Sequence, residues 1–397
     1  MAVASAGLGG VVRALYLVAM AIFVLTVGIG ILNGTDVVDF ARNWILTHVH
    51  SGTLGWISLS IVATASWFFS TTDRRLATAL VILVPAYVVA FAWAEPLPRA
   101  IVGSLLLAAI ALVFAWAWRA FLSSDRSIAA LGIVLGITTF AYGAIIGVIL
   151  QVQAAASQAW LTGDAIGAHA AAMAFGYLVL VAMGVVEWQL GVTGRRRLGQ
   201  VQMVALFAGG LILSVGLLAS AGQAAGGLYL LAELVAVVAF VIRVAPGVVR
   251  VAWGRVGPAR QFAVAAIWIV GALLLLMYLI VLFIGAKGDV AAIPMGPLIA
   301  ADHSVFIGVM TNVLLGLIGM VARSAERRAA WVDHVVFLGV NLGLLVFVVG
   351  LITGVAEIKR VGAPVMGLAI LLGLAVRAMD LWADRDPVLP RGPAIAS

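Results

Sequence analysis

The chain has 397 residues, of which 64% are hydrophobic and only 10% charged, with a mean hydropathy of +1.20 and a formal net charge of +7. Such a composition excludes a soluble globular or a disordered protein and marks an all-α integral membrane protein. The absence of cysteine excludes disulfides, thiolate-held iron–sulfur clusters, covalent haem attachment and thiolate-bridged copper.

Taken in chain order, apolar runs long enough to cross about 30 Å of hydrocarbon as helices fall at 11–32, 44–70, 76–94, 99–121, 127–152, 166–191, 200–220, 227–249, 262–285, 297–322, 334–354 and 364–383. The reading is twelve transmembrane helices in a single polytopic domain, 1–397, with approximate four-helix repeats at 1–124, 125–255 and 256–397. The first run follows MAVASAGLGGVVR without a convincing cleavage site, so it reads as a retained helix. Arginine gathers in alternate connections, including Arg195, Arg196, Arg197, Arg255, Arg323, Arg327, Arg328, Arg385 and Arg391. The positive-inside rule then puts both termini in the cytoplasm, and the setting reads as a bacterial inner membrane. This asymmetry and anionic headgroups account for the positive charge, so the expected partner is the lipid bilayer and no nucleic acid is invoked.

Histidine occurs five times, and four of the five stand near the starts of runs two, six and ten: His48 and His50 in LTHVHSGTLGW, His169 in IGAHAAAMAFGY, and His303 in ADHSVFIGVMTN. All three runs cross in the same direction, which sets these imidazoles at similar depth. Ligating groups inside a membrane are costly and usually functional, so the recurrence on every fourth helix points to a built site. A small residue stands five positions after His50, His169 and His303, at Gly55, Ala174 and Gly308, which suggests a threefold repeat of four helices. His334 opens an odd-numbered run and reads as interfacial.

Together, HVHSGTLGW, GAHAAAMAFGY and DHSVFIGVMTN on runs two, six and ten resemble the haem-copper oxidase superfamily. The last segment is also similar to histidine-bearing segments of NnrS-like haem and metal membrane proteins. The resemblance implies three arcs of four helices and a low-spin haem b held between His50 and His303. The chain departs from the oxidases where their copper site is built: run seven reads LFAGGLILSVGLL without a histidine pair, and run ten carries DHS without a His-x-His pair. A proton-pumping oxygen reductase is therefore not expected.

From the residues themselves, His48 does not simply add to His50, because two positions along a helix rotate a side chain by about 200°. His48, Tyr177 and Trp56 are candidates for the walls or polar contacts of a cofactor pocket, beside His50 and His303 as ligands. A metal set would draw on His50, His169, His303 and Glu233. Imidazoles alone suit copper or zinc, and imidazoles with a carboxylate suit non-haem iron. Glu187, Arg243 and Arg377, near the inner ends of their runs, are expected to snorkel to the interface. Asn312 and Asn341 are expected to join helices.

The expected function is a haem- and/or metal-binding membrane protein that lacks the full binuclear centre. It would carry out electron transfer or nitric oxide or oxygen chemistry, with a redox partner or partner membrane subunit. A secondary transporter and a His-only copper- or zinc-handling protein stand as alternatives.

Overall fold

The computed structural model describes residues 6–286, 292–322, 330–383, 387, 389, 393 and 394. Arg323, Arg327, Arg328, Arg385 and Arg391, used above for orientation, lie outside them. The described residues form twelve continuous helices and no strand. They are α1 Ala6–Gly34, α2 at 42–68, α3 Arg74–Ala92, α4 Pro96–Leu122, α5 Ile128–Ala156, α6 Ala165–Gln189, α7 Arg196–Leu218, α8 Gly222–Arg250, α9 Pro258–Gly285, α10 Met295–Val321, α11 Ala330–Thr353 and α12 Ala356–Ala383. Each coincides, to within several residues, with one of the twelve apolar runs.

Eleven of the helices are long and apolar enough to cross a bilayer. The exception is α2, which is diluted by Ser51, Ser58, Ser60, Thr64 and Ser66, all of them buried. Elsewhere Ile82, Leu274, Val281, Ile284 and Leu368 stand exposed on helix faces. Large apolar side chains in that number on a protein surface require hydrocarbon around them. The chain is an all-α integral membrane protein.

Local chemistry sets the helix starts. Asp73 caps α3 by accepting from the amides of Arg75 and Leu76, Ser127 caps α5 through Ala130, and Asp164 caps α6 through Gly167 at 2.8 Å. Proline opens α4 and α9, where its missing N–H would have had no helical partner.

The chain divides into two compact units, Met1–Thr64 with Arg250–Ser397, and Ala65–Val249. Close backbone approach through glycine holds each together. In the first unit, α11 and α12 meet where a Cβ on Gly362 would strike the backbone of Phe347 and one on Gly343 the backbone of Met366. In the second, a Cβ on Gly184 of α6 would stand 2.8 Å from the Ala129 carbonyl of α5. The expected helix-joining amides are a reciprocal pair: Asn312 Nδ2 donates to Asn341 Oδ1 at 3.0 Å, and Asn341 Nδ2 to Asn312 Oδ1 at 3.1 Å.

The expectation that Glu187 and Arg243 snorkel is overturned. Both side chains are 1% exposed, and Arg243 Nη1 donates to the Glu187 carboxylate at 2.6 Å. Gln202 Nε2 donates to the same carboxylate at 2.8 Å, so α6, α7 and α8 are joined by one ionic network. Each charge is the compensation of the other in an apolar interior, so neither can be withdrawn without stranding its partner. Arg377 likewise donates to Asp333 at 2.9 Å.

Candidate functional site

Among the described residues, three helices depart from α geometry. Over Ser51–Ser58 in α2, Ala172–Leu178 in α6 and Ser304–Thr311 in α10 the backbone is π-helical. Such wide turns are rare and concentrate at functional sites. Each lies within three residues after a histidine of the set His50, His169 and His303. Within two of them a hydroxyl reaches back five residues: Ser58 donates to the Thr53 carbonyl at 2.9 Å and Thr311 to the Phe306 carbonyl at 3.0 Å. The helices with His169 and His303 are also mostly buried, as is α2 after His50.

In the first unit His48 faces His303. Their ring centroids stand 6.5 Å apart with the planes inclined by 23°. The sequence reading pairs His303 with His50; the imidazole found facing His303 is that of His48. The divergence of His48 and His50 around α2 sends His48 toward α1 and α10, where its Nδ1 lies 2.9 Å from the Thr26 carbonyl. Nδ1 of His50 turns back to the Leu46 carbonyl at 2.8 Å, and Nδ1 of His303 to the Ile299 carbonyl at 2.9 Å, each within its own helix. A carbonyl only accepts, so Nδ1 carries the proton in every case and the lone pair of the neutral ring is at Nε2.

His48 and His303 share a cavity of about 280 Å³ whose walls include Phe23, Trp56, Phe306, Phe347 and Met366. Trp56 stacks on Phe23 with centroids 4.7 Å apart and planes 3° apart, and its Nε1 donates to Thr311 on α10 at 3.1 Å. Gly30 is the floor under His48, where an added Cβ would stand 3.0 Å from His48 Cε1.

The second unit repeats part of this arrangement. Nδ1 of His169 on α6 lies 2.8 Å from the Gly143 carbonyl of α5, and a Cβ on Gly147 would stand 2.7 Å from His169 Cε1. Tyr177 stacks on Phe140 at 4.7 Å, and Gly176 packs on Thr139 as Gly55 packs on Ile22. Ile22, Phe23, Thr26 and Gly30 thus correspond to Thr139, Phe140, Gly143 and Gly147 at one constant offset. His48, Gly55 and Trp56 correspond to His169, Gly176 and Tyr177 at another. His169 is therefore the counterpart of His48, not of His50, and the register drawn through Ala174 is off by two.

Signals for this register existed in the chain: a glycine followed by Trp or Tyr after each of these histidines, and a phenylalanine seven residues before a glycine on the preceding helix. His50 and His303 form the other matched pair. Each bonds back one helical turn, precedes a serine and stands five residues before Gly55 or Gly308.

Glu233 is buried on α8 in the second unit, one turn after Tyr229, and its Oε2 has no hydrogen-bond partner. Among the described residues no three His, Asp or Glu side chains gather in a way that could hold a metal ion. His334 differs from the other four histidines, because its Nδ1 accepts from Arg260 Nη1 at 2.9 Å. No family model matches this chain, and no curated protein matches it either.

Proposed function

We propose that the protein binds haem between His48 and His303 and serves in electron transfer within the membrane. The observation that carries this reading is the facing imidazole pair, 6.5 Å between centroids and nearly parallel, in an aromatic and aliphatic cavity. Two imidazoles that each reach one metal through nitrogen at about 2 Å keep their centroids within roughly 6 Å of each other. The carbonyls of Thr26 and Ile299 fix both rings in the tautomer that offers Nε2 and make those nitrogens more basic. A bare copper, zinc or non-haem iron ion needs three or four protein donors. A haem brings four nitrogens of its own, so two imidazoles complete the set.

When bound, haem supplies one-electron ferric–ferrous chemistry. His48 and His303 would both hold the haem, and two protein ligands favour electron transfer over nitric oxide or oxygen binding. Phe23, Trp56 and Phe347 would exclude water from the ring faces. The resemblance to haem-copper oxidases supports the same assignment, with His48 in the place first given to His50. The matching surroundings of His169 make it a candidate ligand of a second group. Electrons would come from a redox partner or partner membrane subunit. The proposed setting is a bacterial inner membrane with both termini cytoplasmic.

The test is an oxidised and dithionite-reduced optical spectrum of the purified protein with metal analysis. A low-spin b-type spectrum that is lost in part or whole in His48→Ala and His303→Ala, and kept in His334→Ala, supports the reading. Bound copper or zinc without a haem spectrum, or a haem spectrum indifferent to His48 and His303, rejects it.

A further inference from the structure

A second cavity, of about 270 Å³, lies in the first unit against the start of α9, far larger than one ordered water needs. Its lining includes Gly257, Arg260, Gln261, Gly319, Asp333 and Arg377. Arg260 is 3% exposed. Its Nη1 donates to His334 Nδ1 at 2.9 Å, its Nη2 to the Asp333 carbonyl at 2.7 Å, and its guanidinium carbon sits 4.4 Å from the centre of the Phe337 ring. All three partners are neutral. The neighbouring acid, Asp333, pairs directly with Arg377 at 2.9 Å and acts on Arg260 only across space. Among the described residues no acceptor lies within reach of Arg260 Nε.

A buried guanidinium whose neighbouring carboxylate, that of Asp333, is shared with a second arginine is only partly compensated, and an N–H without an acceptor adds to the cost. The same place collects further positive potential. The helix α9 runs for 28 residues, and its N-cap Gly257 offers no side chain to the first amides. Those of Ala259 and Arg260 have no intrahelical acceptor, and the helix dipole puts its positive end there. Gly319 keeps the wall open beside Arg377, since a Cβ there would stand 3.1 Å from Arg377 Nη2.

We propose that this cavity binds a phosphate group, held by Arg260 Nε and the free amides at the start of α9. The phosphate chemistry belongs equally to an anionic lipid headgroup and to a free phosphate. Gln261, buried with Oε1 lacking a partner, would accept from a protonated phosphate oxygen or a lipid hydroxyl. This site is independent of the haem reading and of its fate.

The test follows thermal unfolding of the purified full-length protein in detergent, titrated with phosphatidylglycerol in mixed micelles, with inorganic phosphate, and with diacylglycerol as the phosphate-free control. A melting temperature that rises with phosphatidylglycerol alone identifies a lipid site, and one that rises with inorganic phosphate identifies a free-anion site. Either result supports the proposal if Gln261→Glu, which sets a carboxylate beside Arg260, raises the concentration needed at least tenfold. Arg260→Gln should do the same but also loses the bonds to His334 and Asp333, so Gln261→Glu, which keeps them, decides. No rise with either phosphate probe, an equal rise with diacylglycerol, or an unchanged titration in Gln261→Glu overturns it.

Discussion

At the scale of single residues, the proposed haem ligation rests on how each imidazole is anchored. One backbone carbonyl per ring fixes which nitrogen carries the proton, and only Nε2 is left to act as a ligand. A different residue-level contact guards the end of α1: Asp36 receives Lys359 Nζ at 2.6 Å and Arg360 Nε at 3.0 Å. The Lys359 hydrogen bond first, and Arg360 after it, hold this carboxyl below the usual aspartate range. Because the folded value is depressed, the stabilisation is present above the unfolded value of about 3.9 and is lost as pH falls through the folded one. Asp36→Asn should therefore lower the melting temperature slightly at neutral pH, and the difference from wild type should vanish in strong acid. A gap that widened on acidification would contradict this. The histidines were legible as candidates from the sequence, because polar groups in apolar runs stand out. Which of His48 and His50 faces His303 was not, since rotation around α2 alone leaves the direction of both undetermined until α1 and α10 are placed.

At the scale of helices, small residues and buried polar groups set the geometry. Gly30→Val should displace His48, whose Cε1 already lies 3.0 Å from the position of the added Cβ, and so lower haem content while the helices persist. Gly28→Val, on the same helix with nothing within 4 Å of its Cβ, should leave haem content unchanged. Equal loss in both variants would show that the effect is general to α1. The Glu187–Arg243–Gln202 network makes a second prediction. Arg243→Met leaves a buried carboxylate without its cation and should cost about 3–5 kcal/mol in unfolding free energy. Glu187→Met combined with Arg243→Met should recover most of that, and a double variant no better than the single would refute the pairing account. The helices were read correctly as elements because length and hydropathy suffice. The three π-helical stretches and the ionic network were not, because both depend on which helices come to lie side by side.

At the scale of the whole molecule, the twelve helices of the described residues, with large apolar side chains exposed along them, make an integral membrane protein. Absence of native cysteine makes topology simple to test. In intact cells an impermeant maleimide should label Asp39→Cys, whereas Arg196→Cys should react only after the membrane is opened. The reverse pattern would invert the proposed orientation. The central claim, that His48 and His303 ligate one haem, is tested most directly by low-temperature electron paramagnetic resonance of the oxidised protein. Imidazole planes inclined by only 23° should give a rhombic low-spin ferric signal. That signal should disappear in His48→Ala and in His303→Ala. A high-spin signal from the wild-type protein, or a low-spin signal that survives both substitutions, would contradict the account.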